Sequence, residues 1–388
     1  MPINNRIAER ADTITQWRRE LHQNPEVMYD LPQTMAYVAA KLRAFGCDEV
    51  VEGLGRTGVV GVIKGGKGNG PTVGLRSDMD ALPIVEETGV PHASSNPGKM
   101  HACGHDGHMA MLLGAAEHLC ETRNFSGTTV VIFQPAEEGG AGAKAMMDDG
   151  LFERFGVDEV YGMHNYPGIP LGAFAMRSGP IMAATDIFSI TVTGSGGHAA
   201  RPHTVRDPVV ASAQIITSLQ TIASRNADPL ESLVISVTTI HAGDADNVIP
   251  ERVKLTGTVR TLASGMRDMA EQRIADVVHG VATSLGCTAE VAYERNYPVV
   301  VNHERETAFA ASVASSVVGA PNVDTNTPPV MGGEDFAFML EDRPGSFVFV
   351  GNGEDSANLH SPHFDFNDEL IPFGTSYWVE LVETRLAA

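Results

Sequence analysis

Cysteine is scarce in this chain. The four residues present among 388, Cys47, Cys103, Cys120 and Cys287, lie far apart and form no CxxC pair. That spacing excludes a disulfide-stapled scaffold and a four-cysteine zinc finger. Basic charge is short as well: 27 Lys and Arg stand against 48 Asp and Glu, a formal net charge of −21. Nucleic acid and anionic membrane surfaces are bound through positive patches, so neither is an expected partner. No apolar run approaches the roughly 18–20 residues of a membrane span. The opening stretch MPINNRIAERADTITQWRRE lacks the apolar core of a signal peptide, which makes a cytoplasmic location the expectation. Low-complexity tracts, heptad runs and internal repeats are also missing. The composition that remains, 43% apolar and 19% charged, is that of a globular protein. The chain is longer than one hydrophobic core usually serves, so two domains are expected.

Ile7, Ala11, Ile14, Trp17 and Leu21 recur at helical spacing and predict a first helix that stops at Asn24-Pro25. A second helix is predicted from Pro32 to Phe45, with Gly46 as its C-terminal cap. Short apolar strands are expected near 59–63, 72–76, 128–133, 157–163 and 346–350, with helical patterns near 107–119 and 142–151 between them. Such alternation indicates an α/β sheet covered on both faces. The middle of the chain differs. A strand near 186–193 leads to a helix opened by Asp207-Pro208, strands near 231–241 and 251–261, a helix near 266–285 and a strand near 288–294. The order strand-helix-strand-strand-helix-strand is that of a ferredoxin-like α+β unit. The expected organisation is a discontinuous α/β domain of residues 1–184 and 296–388, with residues 185–295 inserted as a second domain. On pattern alone, a single extended sheet stays open.

The densest chemical signal is Met-His-Ala-Cys-Gly-His-Asp-Gly-His at 100–108. Imidazole and thiolate are ligands of zinc and neighbouring transition metals. The glycine between Cys103 and His105 gives the backbone freedom to bring both side chains to one centre. Four further segments place polar groups just beyond an apolar strand: Asp78 and Asp80, Glu137 and Glu138, His164, and His360 with His363. Ligands of open α/β sheets gather at the carboxyl ends of the strands, so five segments are directed to one edge. Glu137 and Glu138 point opposite ways if the chain there is extended. One can then ligate a metal while the other faces substrate as a general base.

These stretches resemble the hippurate hydrolase and indole-acetyl-amino-acid hydrolase branch of the aminoacylase/carboxypeptidase metallopeptidase family. Further matches are RRELHQNPE at 18–26, RSDMDALPI at 76–84, QPAEEG at 134–139 and GGHAARPH at 196–203. NVIP at 247–250, GTVRT at 257–261, GGEDF at 332–336 and LHSPHF at 359–364 complete the series. The resemblance implies a mixed-sheet catalytic domain with two divalent metals and an inserted ferredoxin-like lid, often the surface of a homodimer. It implies Cys103, His105, Glu138, His164 and His360 as metal ligands, with His360 rather than His363 the ligand of the tail motif. Glu137 becomes the general base acting on metal-bound water, and Asp80 steadies a ligand or metal from behind. Asp106 and His108 are expected to be structural. His198 stabilises the oxyanion in the partner chain's site, while Asn247 and Arg260 grip the free carboxylate of the substrate. The implied activity is hydrolysis of N-acyl amino acids, with a dipeptidase or carboxypeptidase of the same two-metal core as the alternative. The wider family usually has His-x-Asp where this chain has Asp78-Met79-Asp80, and Cys103 takes a place often held by a carboxylate. Thiolate favours zinc, cobalt or nickel, and the remaining donors also accept manganese.

Overall fold

A computed structural model of the chain describes residues 4–387. The polypeptide forms two compact units. The first comprises the chain up to Ile181, Val301–Pro328 and the stretch from Asp335 onward; the second comprises Met182–Val300 and Pro329–Glu334.

The first unit is built on an eight-stranded mixed sheet. Its order is Glu49–Leu54, Gly58–Lys64, Thr128–Gln134, Thr72–Asp78, Glu159–Pro167, Gly345–Gly353, Phe174–Ala175 and Val323–Asp324. The four central strands, from Thr128–Gln134 to Gly345–Gly353, run parallel. Their residues are buried almost throughout, as expected of parallel strands covered on both faces. Helix His105–Thr122 is buried from His105 to Ala116 without interruption. Helices Asn5–Gln23, Pro32–Phe45 and Ile371–Arg385 all pack against it. Each of its fully buried Met and Leu side chains contributes about 1.5–3 kcal/mol relative to exposure.

Local signals account for several boundaries. Helix Pro32–Phe45 ends at Gly46 with φ +87°, the left-handed conformation that glycine adopts without strain. In the second unit, the Asp207 carboxylate caps helix Pro208–Arg225 by accepting from the amides of Val209 and Val210. That unit is a four-stranded antiparallel sheet ordered Leu233–Ala242, Arg252–Thr261, Ala184–Thr193 and Thr288–Arg295. Helices Pro208–Arg225 and Ser264–Ser284 lie against it around a core that includes Phe188, Ile215 and Val278. The ferredoxin-like order is therefore present as expected. One expectation changes: the helix anticipated near 142–151 is two, Gly142–Asp148 and Leu151–Phe155, because Gly150 turns left-handed between them. The edge strand Glu49–Leu54 and the short strands 174–175 and 323–324 were not anticipated from the sequence.

Candidate metal centre

The carboxyl ends of the parallel strands carry the candidate site. Gly104 opens helix His105–Thr122 at φ +96°, and a Cβ there would lie 2.2 Å from Asn165 Oδ1. Glycine thus serves both the turn and the close approach, and Cys103 and His105 can face inward from either side of it. His164 leaves strand Glu159–Pro167 near its end. Glu137 and Glu138 follow strand Thr128–Gln134. Here the sequence expectation is corrected: residues 137–139 form a turn rather than extended chain. Ala136 precedes it at φ +52°, and Gly139 N–H donates to Glu137 O. The turn keeps both carboxylates on the site instead of sending them to opposite faces.

Four overlapping groups of donor atoms result among the described residues. Cys103, Glu138 and His360 form one, His105, Glu137 and Glu138 a second, Asp78, His105, His108 and His164 a third, and Glu137, Glu334 and Asp335 a fourth; within each group the ligand atoms lie within 4.8 Å of one another. His360 Nε2 is 3.1 Å from Glu138 Oε1, and His164 Nε2 is 3.4 Å from Cys103 Sγ. His360 itself is held at φ +64° by its amide, which donates to Ala102 O. Such left-handed non-glycine residues are strained and concentrate at functional sites. His363 is exposed and turned to Glu87, 3.1 Å from its backbone oxygen.

The donors are oriented from behind. His105 Nδ1 donates to Asp80 O at 2.7 Å, and His164 Nδ1 donates to Asn165 O at 2.6 Å. Each ring therefore presents Nε2, the arrangement that fixes a metal-binding imidazole. The Asp80 carboxylate accepts from the amides of Glu137 at 2.9 Å and Glu138 at 3.1 Å, clamping the turn. His108 is engaged at both nitrogens, with Nδ1 2.7 Å from Asp78 Oδ1 and Nε2 2.6 Å from Asn165 Oδ1. Asp106 binds Arg18 Nε and His22 Nδ1 at 2.7 and 2.8 Å. His108 also falls with Asp78, His105 and His164 in a fully buried group of donor atoms, whereas Asp106 is in none of the groups and its Oδ1 is buried without a hydrogen-bond partner.

The electrostatics of the cluster call for a cation. His105 Nε2 is fully buried without a hydrogen-bond partner. Burial alone would lower the His105 pKa, but the Asp78 and Asp80 carboxylates outweigh it and lift it to about 10. The Cys103 thiol is pushed well up by burial and then by Glu138, Glu137 and Asp78. Burial, with His108 beside it, keeps His164 far below its ordinary range and hence neutral. A divalent ion at these atoms would satisfy the same field and allow the thiolate. The sulfur, imidazole and carboxylate donors suit zinc and its neighbours.

Sequence reasoning missed the layer beneath. Arg76, wholly buried, donates to Asp78 at 2.8 Å and to Asp335 at 3.0 Å. Asp335 also accepts from Gln134 Nε2 and from the Ala143 amide. The available signal was a charged or amide residue inside otherwise apolar central strands, which demands a buried partner. In the second unit, His198 pairs in register with Val248, and Ala199 N–H donates to Asn247 O, so His198 and Asn247 are neighbours. His198 Nδ1 accepts from the Ala200 amide at 3.1 Å, which leaves Nε2 as the protonated donor. Arg260 lies on strand Arg252–Thr261 and donates through Nη1 to Val259 O and Thr258 Oγ1.

Comparison with known proteins gives this architecture its class. Residues 74–384 match the model of peptidase family M20/M25/M40. The chain is 42% identical over 365 residues to the hippurate hydrolase of Campylobacter jejuni, covering 94% of each protein. It is 41% identical to thermostable carboxypeptidase 2 of Saccharolobus solfataricus, over 96% of this chain and 95% of that one. The crystal structure of the YXEP protein of Bacillus subtilis, described as a dinuclear metal binding peptidase from the M20 family, superposes with a TM-score of 0.85. It shares 33% identity and covers 98% of this chain and 99% of its own. The chain belongs to peptidase family M20/M25/M40, and it is a hydrolase of amide bonds.

Proposed function

We propose that this protein is a metal-dependent amidohydrolase that cleaves N-acyl amino acids of the hippurate type into a carboxylic acid and a free amino acid. The carrying observation is the convergence of Cys103, His105, Glu137, Glu138, His164 and the exposed His360 on one carboxylate-rich cluster. The similarity to a hippurate hydrolase along nearly the full length of both chains supports the substrate class. In this reading Cys103, His105, Glu138, His164 and His360 hold two divalent ions. When bound, the ions supply Lewis acidity to the scissile carbonyl and hydroxide at neutral pH.

The remaining chemistry belongs to the chain. Glu137, on the turn clamped by Asp80, accepts the proton of the attacking water and returns it to the leaving amine. The His198 Nε2–H, set by the Ala200 amide at Nδ1, donates to the oxyanion. In a homodimer through the second unit, it is the partner subunit's His198 that does so. Asn247 and Arg260 hold the free carboxylate of the substrate. A guanidinium matches that group bidentately, and Arg260 Nε and Nη2 have no hydrogen-bond partner among the described residues.

A carboxypeptidase or dipeptidase activity on the same residues is the second reading, favoured by the similarity to the carboxypeptidase. Amino-acid release from a panel of N-acyl amino acids and unblocked dipeptides separates the two. The protein is stripped of metal and resupplied with zinc, manganese, cobalt or nickel in turn. Metal-dependent release from the acyl amino acids supports the proposal, and release confined to dipeptides overturns it in favour of the peptidase. Glu137→Gln is expected to lower kcat by about 10²–10⁴-fold, the usual range for a general base, while metal content stays unchanged. Near-wild-type turnover would remove Glu137 from that role.

A further inference from the structure

Two cysteines lie together at the far end of the helix that begins at the metal centre. Cys120 is in the last turn of helix His105–Thr122, about 22 Å along the axis from His105 at 1.5 Å per residue. Cys47 follows Gly46, the cap of helix Pro32–Phe45. Their Sγ atoms are 3.5 Å apart although 73 positions separate them in sequence. Arg123 fastens the two segments. Its Nη1 donates to Asp48 Oδ2 at 2.7 Å and Lys64 O at 2.8 Å, and its Nη2 donates to Gly46 O at 2.9 Å. Neither sulfur belongs to the metal-binding cluster, and both are free thiols.

The two sulfurs share one hydrogen bond in which either can donate. That bond holds the Cys120 thiol below its ordinary pKa, with burial opposing and Arg123 reinforcing it, and holds Cys47 high. A thiolate beside a second thiol at contact distance is the arrangement that oxidation converts to a disulfide. Cys120 is a buried residue of the core at 7% exposure, and the half-buried Cys47 gives the pair its access to solvent.

We propose that Cys47 and Cys120 form a peroxide-oxidisable dithiol that closes reversibly to a disulfide, tying the segment after helix Pro32–Phe45 to the end of helix His105–Thr122. The Cys120 thiolate attacks one oxygen of hydrogen peroxide. An S–O bond forms, the O–O bond breaks, and the departing hydroxide takes up a proton to leave as water. Cys47 sulfur then attacks the Cys120 sulfenic acid: the S–S bond forms, the S–O bond breaks, and the Cys47 proton leaves with the hydroxyl as a second water. Two thiols are oxidised by two electrons and one peroxide is reduced to two waters. The closed staple restricts the unfolded chain across a long loop and so stabilises the fold. This site stands apart from the hydrolase reading.

The test uses the full-length protein in zinc-containing buffer, exposed to graded hydrogen peroxide, alkylated, digested and mapped by mass spectrometry. The expected result is a Cys47–Cys120 cross-linked peptide at peroxide levels that leave Cys287 reduced. Of the four thiols titrated after unfolding, two disappear, Tm rises by several degrees, and dithiothreitol reverses both changes. In Cys47→Ser, Cys120 should stop at a sulfenic acid trapped by dimedone, with no rise in Tm; Cys120→Ser should leave Cys47 reduced. The wild-type map decides by itself if either variant folds poorly. Cys47 and Cys120 both remaining reduced where Cys287 is oxidised, or becoming separate sulfinic acids without a cross-link, overturns the proposal.

Discussion

Replacing Asp80 by Asn keeps the shape of the side chain and turns one carboxylate oxygen into an NH2 group. In the native site the two oxygens accept from the amides of Glu137 at 2.9 Å and Glu138 at 3.1 Å, and the residue is 1% exposed. Asparagine can accept from only one of these amides, and the other then faces a donor with no water to replace the bond. Losing one charge-assisted hydrogen bond and orphaning a buried N–H costs about 2–3 kcal/mol. If that loss falls on the placement of the two glutamates in the reacting state, activity drops about 30- to 150-fold. The backbone oxygen that orients His105 is untouched, so metal content should fall far less than turnover. The assay is kcat and KM on the best substrate of the acyl panel, with metal content and Tm measured on the same preparation. Turnover within threefold of wild type, at full metal loading, would refute the view that the Asp80 carboxylate holds the catalytic turn.

Three further perturbations probe the support of the site. His22 is buried against Asp106 and Glu86; burial lowers its pKa, but these carboxylates outweigh it and raise it from 6.5 to about 9. The stabilisation, on the order of 3 kcal/mol, is then full below pH 6.5 and lost as pH rises through about 9. The gap in urea midpoint between wild type and His22→Gln should shrink from pH 6 to pH 10, and a constant gap would contradict the assignment. Asp335→Ala leaves the buried Arg76 guanidinium with Asp78 as its one remaining carboxylate among the contacts described above. Removing one partner of a buried ion pair costs about 3–5 kcal/mol, to be read from urea unfolding; a loss below 1 kcal/mol would show that the network relaxes. A Cβ on Gly142 would sit 1.6 Å from Pro135 O, a backbone atom. Gly142→Ala must therefore shift the turn bearing Glu137 and Glu138, with a fall in kcat on the order of 100-fold for a displacement near 1 Å. Unchanged kcat would mean that the shift is absorbed elsewhere.

The donor residues were legible in the sequence for a physical reason. Cys103, His105, Glu138, His164 and His360 are metal-binding residue types in four short segments, three of which follow an apolar strand, and strand ends of a parallel sheet meet at one edge. The second unit was legible through its periodicity: Ala270, Ile274, Val278 and Ala282 are the buried residues of helix Ser264–Ser284, spaced four apart along one face. Helix Ile371–Arg385 gave no such signal. Nine of its residues, including Tyr377, Trp378 and Val379, are buried, and a helix covered on most sides has no polar face to contrast with an apolar one.

What escaped the sequence was determined by contact between distant segments. Nothing in an alanine announces that Ala136 turns left-handed, yet that φ of +52° converts an expected extended stretch into the turn that keeps both glutamates on the site. Nothing local links Arg76 to Asp335, 259 positions away, or Cys47 to Cys120. The groups that contact a ligand must carry specific chemistry, and chemistry is written in residue type. The groups that hold them need only be complementary to whatever the fold brings near. Asp80 belongs to both kinds. Its carboxylate drew notice because it lies in a motif beside a strand end, whereas its grip on two successive amides became visible only once the turn was seen. Sequence reading therefore identified which atoms are candidates to bind metal, while the means of holding them had to be read from three dimensions.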